Sequence, residues 1–188
     1  MRHDINLKHL SKKEIGYLLG FYVGDGNIFI KKKIGVYRLR LFTYIKETKI
    51  QERLKKTLLK IFKKIYCYQK QDNTFVIEVN SIDLINFLSK NVDKNGIKTK
   101  ISRNSERGFI EGIIDSDGYV QRNYTEITTA NLKLKNCIVK ILKKFKIKCN
   151  IRNYQSPISK REGFRIGFSL NGEIFFPCKW VSSLQTAE

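Results

Sequence analysis

Histidine, paired cysteines, acids and long apolar runs are all scarce in this chain, and each scarcity closes a class of function. The two histidines, His3 and His9, lie in the first ten residues without ligand partners at zinc spacing, which argues against a structural zinc. Cys67, Cys137, Cys149 and Cys178 show no C-x-x-C spacing and are expected to be small buried residues. No run approaches the roughly 18 apolar residues that span a bilayer, and the opening MRHDINLKHL lacks the apolar core of a signal peptide. An intracellular, soluble protein is expected. Acids number 17 against 37 basic residues, for a net charge of +20. A cut after Lys98 leaves 21 basic against 9 acidic residues in the first half and 16 against 8 in the second. Both halves are therefore basic, and a field spread over the whole body points to a polyanion partner, nucleic acid first. A merely solvated lysine-rich surface is the competing reading.

What is present is one stretch, twice. GYLLGFYVGDG runs from Gly16 to Gly26 and GFIEGIIDSDG from Gly108 to Gly118, so that Gly16, Gly20, Gly24, Asp25 and Gly26 fall on Gly108, Gly112, Ser116, Asp117 and Gly118 at a constant offset. Each copy places a small residue at every fourth position, on one helical face, where missing side chains let two backbones approach closely. The natural partner of the face Gly16, Gly20, Gly24 is the face Gly108, Gly112, Ser116. Each helix is expected to stop at Asp-Gly because glycine readily takes the left-handed conformation that ends a helix. Asp25 and Asp117 would then sit side by side, each at the partially negative end of a helix. That arrangement is unfavourable unless positive charge fills it, and a hard divalent cation with oxygen ligands would do so.

The doubled motif resembles the LAGLIDADG homing endonucleases, in the form where one chain carries two copies. LLGFYVGDG (Leu18 to Gly26) and IEGIIDSDG (Ile110 to Gly118) align with the nine-residue family name without a gap. Two buried helices whose glycines only serve packing are the bland alternative. A calcium-loop reading of Asp115, Asp117 and Glu126 fails because Val120 stands where that loop needs glycine.

The remaining elements can be placed in order. Ser11 and Glu14 form a capping-box pattern before the first motif helix. Strand-like runs follow at 27–33 and 36–44 across an Ile34-Gly35 turn, then an amphipathic helix at 47–64, strands at 65–70 and 75–80 across Asp72-Asn73, and a helix at 82–92 capped by Ser81. The polar stretch 93–102 reads as the linker. After it come a motif helix to Asp117, strands at 119–122 and 124–129, a helix at 131–146, strands at 149–155 and 164–170 around the loop 156–163, and a closing helical segment from Asn171. The expected fold is α+β, with two pseudo-symmetric αββαββα halves at 1–98 and 99–188. Each half is a four-stranded antiparallel sheet with helices on one face, leaving the other open to a partner. That order is also the one the resemblance implies.

On the open faces Lys31, Lys33, Arg38, Arg40, Tyr66, Tyr68 and Lys70 of the first half, and Gln121, Asn123, Arg152, Tyr154 and Arg165 of the second, are the candidate contacts to double-stranded DNA. Arginine can read guanine edges, glutamine and asparagine can read adenine, and lysine mainly holds phosphates. Unequal halves imply an asymmetric or only roughly palindromic site. The resemblance implies that Asp25 and Asp117 are catalytic and hold Mg²⁺ or Mn²⁺ with the backbone carbonyls of Gly24 and Ser116, making a double-strand break with 3′ overhangs. It also implies a Lys or Gln near the end of the second strand of each half. Lys46 is the candidate in the first half, and the second half has none. Val23 departs from the acid often found there, whereas Asp115 keeps it. The same family includes RNA-binding intron maturases and DNA-binding regulators that do not cleave, but retention of both acids favours the nuclease. A free-standing, intron-encoded monomer is expected.

Overall fold

The computed structural model describes residues 6–155, 162–169, 175 and 177–179. Helix α1 (Lys12–Asp25) leads to strands β1 (Gly26–Lys31) and β2 (Val36–Tyr44), helix α2 (Thr48–Leu59), strands β3 (Tyr66–Gln69) and β4 (Thr74–Asn80), and helix α3 (Ile82–Asn91). A short hairpin follows, β5 (Val92–Asp93) and β6 (Gly96–Ile97). The order then repeats as α4 (Arg103–Asp117), β7 (Gly118–Gln121), β8 (Tyr124–Thr129), α5 (Leu132–Lys144), β9 (Cys149–Gln155) and β10 (Glu162–Ser169). The two large sheets are antiparallel, in orders β1-β2-β4-β3 and β7-β8-β10-β9. This is the α+β architecture expected, with one open and one helix-covered face on each sheet.

Helix α1 starts on a complete capping box, in which Ser11 accepts from the Glu14 amide and Glu14 from the Ser11 amide. Ser102 caps α4 by accepting from the Ser105 amide. Both helices are buried almost all round, so they run through the middle of one shared core. Tyr17, Leu18, Leu19 and Phe21 of α1 meet Phe109, Ile110, Ile113 and Ile114 of α4, with Leu39, Leu41 and Ile77 from one sheet and Ile127 and Ile166 from the other closing over them. Helix α1 is apolar through most of its length, while α4 also buries Glu106, Glu111 and Asp115.

The two helices touch backbone to backbone. A methyl on Gly16 would stand 1.9 Å from the Ser105 carbonyl oxygen, and one on Gly108 2.0 Å from that of Lys13. One turn further on, Gly20 faces the carbonyl oxygen of Phe109 at 2.1 Å and Gly112 that of Tyr17 at 2.3 Å. The contacts are related by the same offset that registers the two sequence motifs, so the seam is pseudo-twofold. The glycines that end the helices differ from expectation. Gly26 and Gly118 have φ of −98° and −85° and are extended rather than left-handed. Glycine is needed there because a Cβ would collide with Tyr22 and Ile114 of the preceding turn, at 2.5 and 2.6 Å. The chain therefore passes straight from each helix into the first strand of its sheet.

Other differences are local. Helix α2 stops at Leu59, where an Ile61 amide to Leu58 carbonyl bond tightens the chain out of the helix, short of the expected residue 64. The stretch taken as linker contains the β5–β6 hairpin, with Gly96 at φ 109°. Cys67 is exposed because β3 is an edge strand with all four residues in solvent, and the other three cysteines are half-buried. The closing helical segment lies mostly outside the described residues, as does most of the loop 156–163, although Cys178 and Lys179 are helical. Among the described residues, no helix is long and apolar enough to cross a membrane.

Candidate metal centre and nucleic-acid interface

Because α1 and α4 cross as a symmetric pair and end at matching residues, their last turns bring Asp25 and Asp117 together. A methyl on Gly24 would stand 2.0 Å from Ser116 Oγ and 2.9 Å from Asp117 Oδ2, so the second acid leans over the backbone that carries the first. Burial, followed by the neighbouring Asp117 charge, pushes the Asp25 carboxyl up to about 6, against the pull of Lys179 and Lys94 and with a further push from Glu47. Burial also raises Asp117, again opposed by Lys179 and Lys94. Burial lowers Lys94, and both acids oppose that.

Two lysines thus share the site with two aspartates, and each binds a helix end. Lys94 Nζ, from the tip of the β5–β6 hairpin, donates to the carbonyls of Tyr22 (2.9 Å), Val23 (2.9 Å), Gly24 (3.2 Å) and Gly26 (2.8 Å). Lys179 Nζ donates to the carbonyls of Ser116 (3.0 Å) and Gly118 (2.9 Å) and lies 3.6 Å from Glu47. Sequence reasoning missed both lysines. A signal for Lys94 existed: Val92-Asp93-Lys94-Asn95-Gly96-Ile97 reads as a two-residue hairpin loop between apolar residues. Lys179 carried no such signal, since its place depends on Asp115, whose two oxygens accept from the backbone amides of Cys178 (3.0 Å) and Lys179 (3.0 Å).

Asp115 is fully buried and also accepts from the Tyr17 hydroxyl at 2.9 Å. Glu111, one turn before it, is wholly buried too, against Lys13 at 2.8 Å and Arg53 at 2.6 Å. These two acids, with Arg53 from α2, bind the first half to the second beneath the candidate site. A calcium loop is absent, since Asp115 and Asp117 end a helix while Val120 and Glu126 lie in strands β7 and β8. Lys46 is exposed in the turn before α2, and the described ion pairs do not join it to Asp25 or Asp117.

Register assigns the sheet residues to faces, since directly paired residues of antiparallel strands point the same way. Lys31, Arg38, Arg40, Tyr66, Tyr68 and Lys70 share the open face of the first sheet, with Lys33 in the turn between β1 and β2. Gln121, Arg152, Tyr154 and Arg165 share the open face of the second, with Asn123 in the turn between β7 and β8. Phe29 and Phe42 also lie on the first face, under Arg40 at 5.4 Å and Lys70 at 4.9 Å respectively. Each face holds one central acid that sequence reasoning did not place there. Glu78 pairs with Arg40 at 2.6 Å and Arg38 at 3.4 Å, and Glu126 with Arg165 at 3.4 Å, while the Arg165 guanidinium stacks 4.1 Å from the Tyr154 ring.

Residues 104–167, from α4 to β10, match the model of the LAGLIDADG-like domain. Over those residues the chain is similar to the LAGLIDADG family. An uncharacterized protein of Methanocaldococcus jannaschii is 30% identical over 166 residues, covering 86% of this chain, and the chain spans 57% of that protein's length. Among solved structures, the homing endonuclease I-DmoI carrying one substitution, in complex with its target DNA and Mg, superposes with a TM-score of 0.68 at 18% identity, over 94% of this chain and 98% of that one. The homing endonuclease I-WcaI bound to its DNA recognition sequence gives 0.52 at 14% identity, over 84% and 76%. The N-terminal LAGLIDADG domain of DUF199/WhiA gives 0.51 at 17%, over 90% and 81%. At these identities the likeness is one of fold. The chain thus has a four-charge centre where its two motif helices end, between two open basic sheets.

Proposed function

We propose that this chain is a site-specific endonuclease making a metal-dependent double-strand break in a long, asymmetric or roughly palindromic DNA duplex. The observation that carries this reading is the convergence of Asp25, half-buried, and Asp117, nearer the surface, at the junction of two open basic sheets, where partial desolvation pushes each above its ordinary range. An acid pair with no substrate would be a pure liability to the fold. Support also comes from I-DmoI and I-WcaI, which share the fold and are bound to their DNA sites.

The donor set suits a hard divalent cation, Mg²⁺ or Mn²⁺. Asp25 and Asp117 directly follow Gly24 and Ser116, and lysine ammonium groups already lie against the carbonyls of those two residues, so the place accepts positive charge among oxygens. Asp25 and Asp117, with those two carbonyls, would hold it. When bound, such a cation lowers the pKa of a water and neutralises charge on a phosphate and its leaving oxygen. The remaining work belongs to the protein. The open sheet faces hold the duplex across both halves, with lysines on phosphates and the arginines, Gln121 and Asn123 reaching base edges. The rigid glycine seam fixes the separation of the two acids, each serving one strand, with 3′ overhangs as the product. Lys46 would assist at the first strand. The protein would act as a monomer, since its pseudo-twofold partner is internal, and as an intron-encoded enzyme.

Selecting cleaved duplexes from a randomised library with Mg²⁺ tests the reading. A single long consensus is expected. Binding without cleavage at any divalent ion would move the chain to the non-cleaving reading, a DNA-binding regulator or an RNA-binding maturase.

A further inference from the structure

Lys94 and Lys179 come from unrelated places in the chain, a hairpin tip and the segment after β10, yet perform the same act on opposite helix ends. Each places an ammonium group among the backbone carbonyls at the point where a motif helix passes into the first strand of its sheet. The C-terminal carbonyls of a helix carry partial negative charge, and here an aspartate is added to each. Lys94 shares its three N–H bonds among the carbonyls of Tyr22, Val23 and Gly24 of α1 and Gly26 of β1, and Lys179 reaches those of Ser116 of α4 and Gly118 of β7. Among the acceptors are the carbonyls of Gly24 and Ser116, the backbone ligands of the proposed cation.

We propose that Lys94 and Lys179 are the resident counter-cations of the Asp25–Asp117 pair. In the metal-free protein they supply the positive charge that lets two carboxylates lie together at two helix ends, and they thereby set how strongly the site takes up a divalent cation. They are positioning residues. The inference rests on the reading of Asp25 and Asp117 as a cation site but concerns the metal-free protein, so it can fail independently. Its physical core is competition for one place. Positive charge already present holds the carbonyls and offsets the nearby carboxylate charges, so the gain on adding a divalent ion is smaller than in a site lined by acids alone. Metal uptake by the free protein is therefore weak, and strengthens when a lysine is removed. The routes differ in rigidity. Lys94 sits in a two-residue hairpin loop, whereas Lys179 is placed by the two backbone bonds to buried Asp115.

Thermal melts of the full chain decide this, using Lys94→Met, Lys179→Met and the double variant, each in the parent and in the Asp25→Asn/Asp117→Asn background, in EDTA and in millimolar Mg²⁺ or Ca²⁺. In the parent background and EDTA, each single variant is expected to lose about 5 °C or more. In the Asn background the loss should fall to less than half, because the charge being compensated is gone. Mg²⁺ should raise the melting temperature of Lys94→Met/Lys179→Met more than that of the parent. A variant folded only with the metal counts for the proposal. Equal losses in both backgrounds would make the lysines simple helix-end caps, and variants unfolded in every condition would say the same. A metal response no larger than the parent's would overturn the competition. Cleavage by the parent is scored separately: a parent that never cuts but shows these shifts loses the nuclease reading and keeps this one.

Discussion

Arg40 and Glu126 stand at the same place in the two sheets with opposite charge. Arg40 directly precedes Leu41, the strand partner of Gly26, and Glu126 directly precedes Ile127, the partner of Gly118. Around them the two open faces diverge. The partner of Arg40 is Glu78, while that of Glu126 is Gly167, where a side chain would collide with the Tyr124 hydroxyl at 2.1 Å. A backbone that repeats carrying a surface that does not is what an asymmetric partner requires. Arginine donates to guanine acceptors and glutamate accepts from the cytosine amino group. Arg40→Ala is therefore expected to relax base preference in one half-site and Glu126→Ala in the other, at a discrimination of about 1–3 kcal/mol per base pair. Selected-site sequencing of the two variants measures this, and relaxation of the same positions by both would show that the halves do not read separate half-sites.

Affinity should depend steeply on salt. Each phosphate neutralised contributes roughly 0.9 to the log–log slope, and two basic faces are expected to meet at least about six phosphates. Lys31→Ala should weaken all sequences alike and lower that slope by about one. A parent slope near one would be incompatible with both sheets touching the duplex.

The helix seam gives the plainest stability test. At Gly20 and Gly112 a Cβ would come within 2.1 and 2.3 Å of a backbone oxygen in the facing helix, and backbone cannot swing aside as a side chain can. Gly112→Ala is expected to cost about 3 kcal/mol or more, at or beyond the usual range for overpacking, and Gly112→Leu to unfold the protein. Denaturant melts settle it, since a soluble, active Gly112→Leu protein would contradict backbone contact between α1 and α4.

Much of this was legible because period and repetition are local properties. The glycine spacing, the Asp-Gly ends and the alternation of Arg38 and Arg40 with Leu39 and Leu41 could be read one element at a time, and the repeat then placed the elements against each other. What the sequence hid lies in contacts between distant segments. Nothing near Lys179 says that Asp115 will capture its amide, and nothing near Glu78 says that it will sit between two arginines. The left-handed ending expected at Gly26 and Gly118 failed for a related reason: glycine is demanded there by the side of the preceding helical turn, which a local reading treats as free space.

The acid pair itself makes the last prediction. Asp25 has a folded-state pKa of about 6 against an ordinary 3.8, so the folded protein holds that proton more tightly than the unfolded chain does. Its contribution to stability is therefore greatest below the ordinary value, declines as pH rises from about 4 to about 6, and stays low above that. Asn cannot ionise, so the advantage of Asp25→Asn/Asp117→Asn over the parent in EDTA should be near zero at pH 4 and reach a plateau by pH 7. Asp117, also raised by burial, adds in the same sense. Allowing for solvent screening at a partly exposed site and for the two lysines, the plateau is on the order of 1 kcal/mol or more, roughly 2–4 °C in a chain of this size. Titration of the other groups is largely common to both proteins and so tends to cancel in the difference. Millimolar Mg²⁺ at pH 7 should then raise the melting temperature of the parent and leave the double variant unmoved, because only the parent keeps a folded-state cation site. If the double variant melts below the parent in EDTA at neutral pH, the aspartates are net structural acceptors, and the strain that makes this place a cation site does not exist.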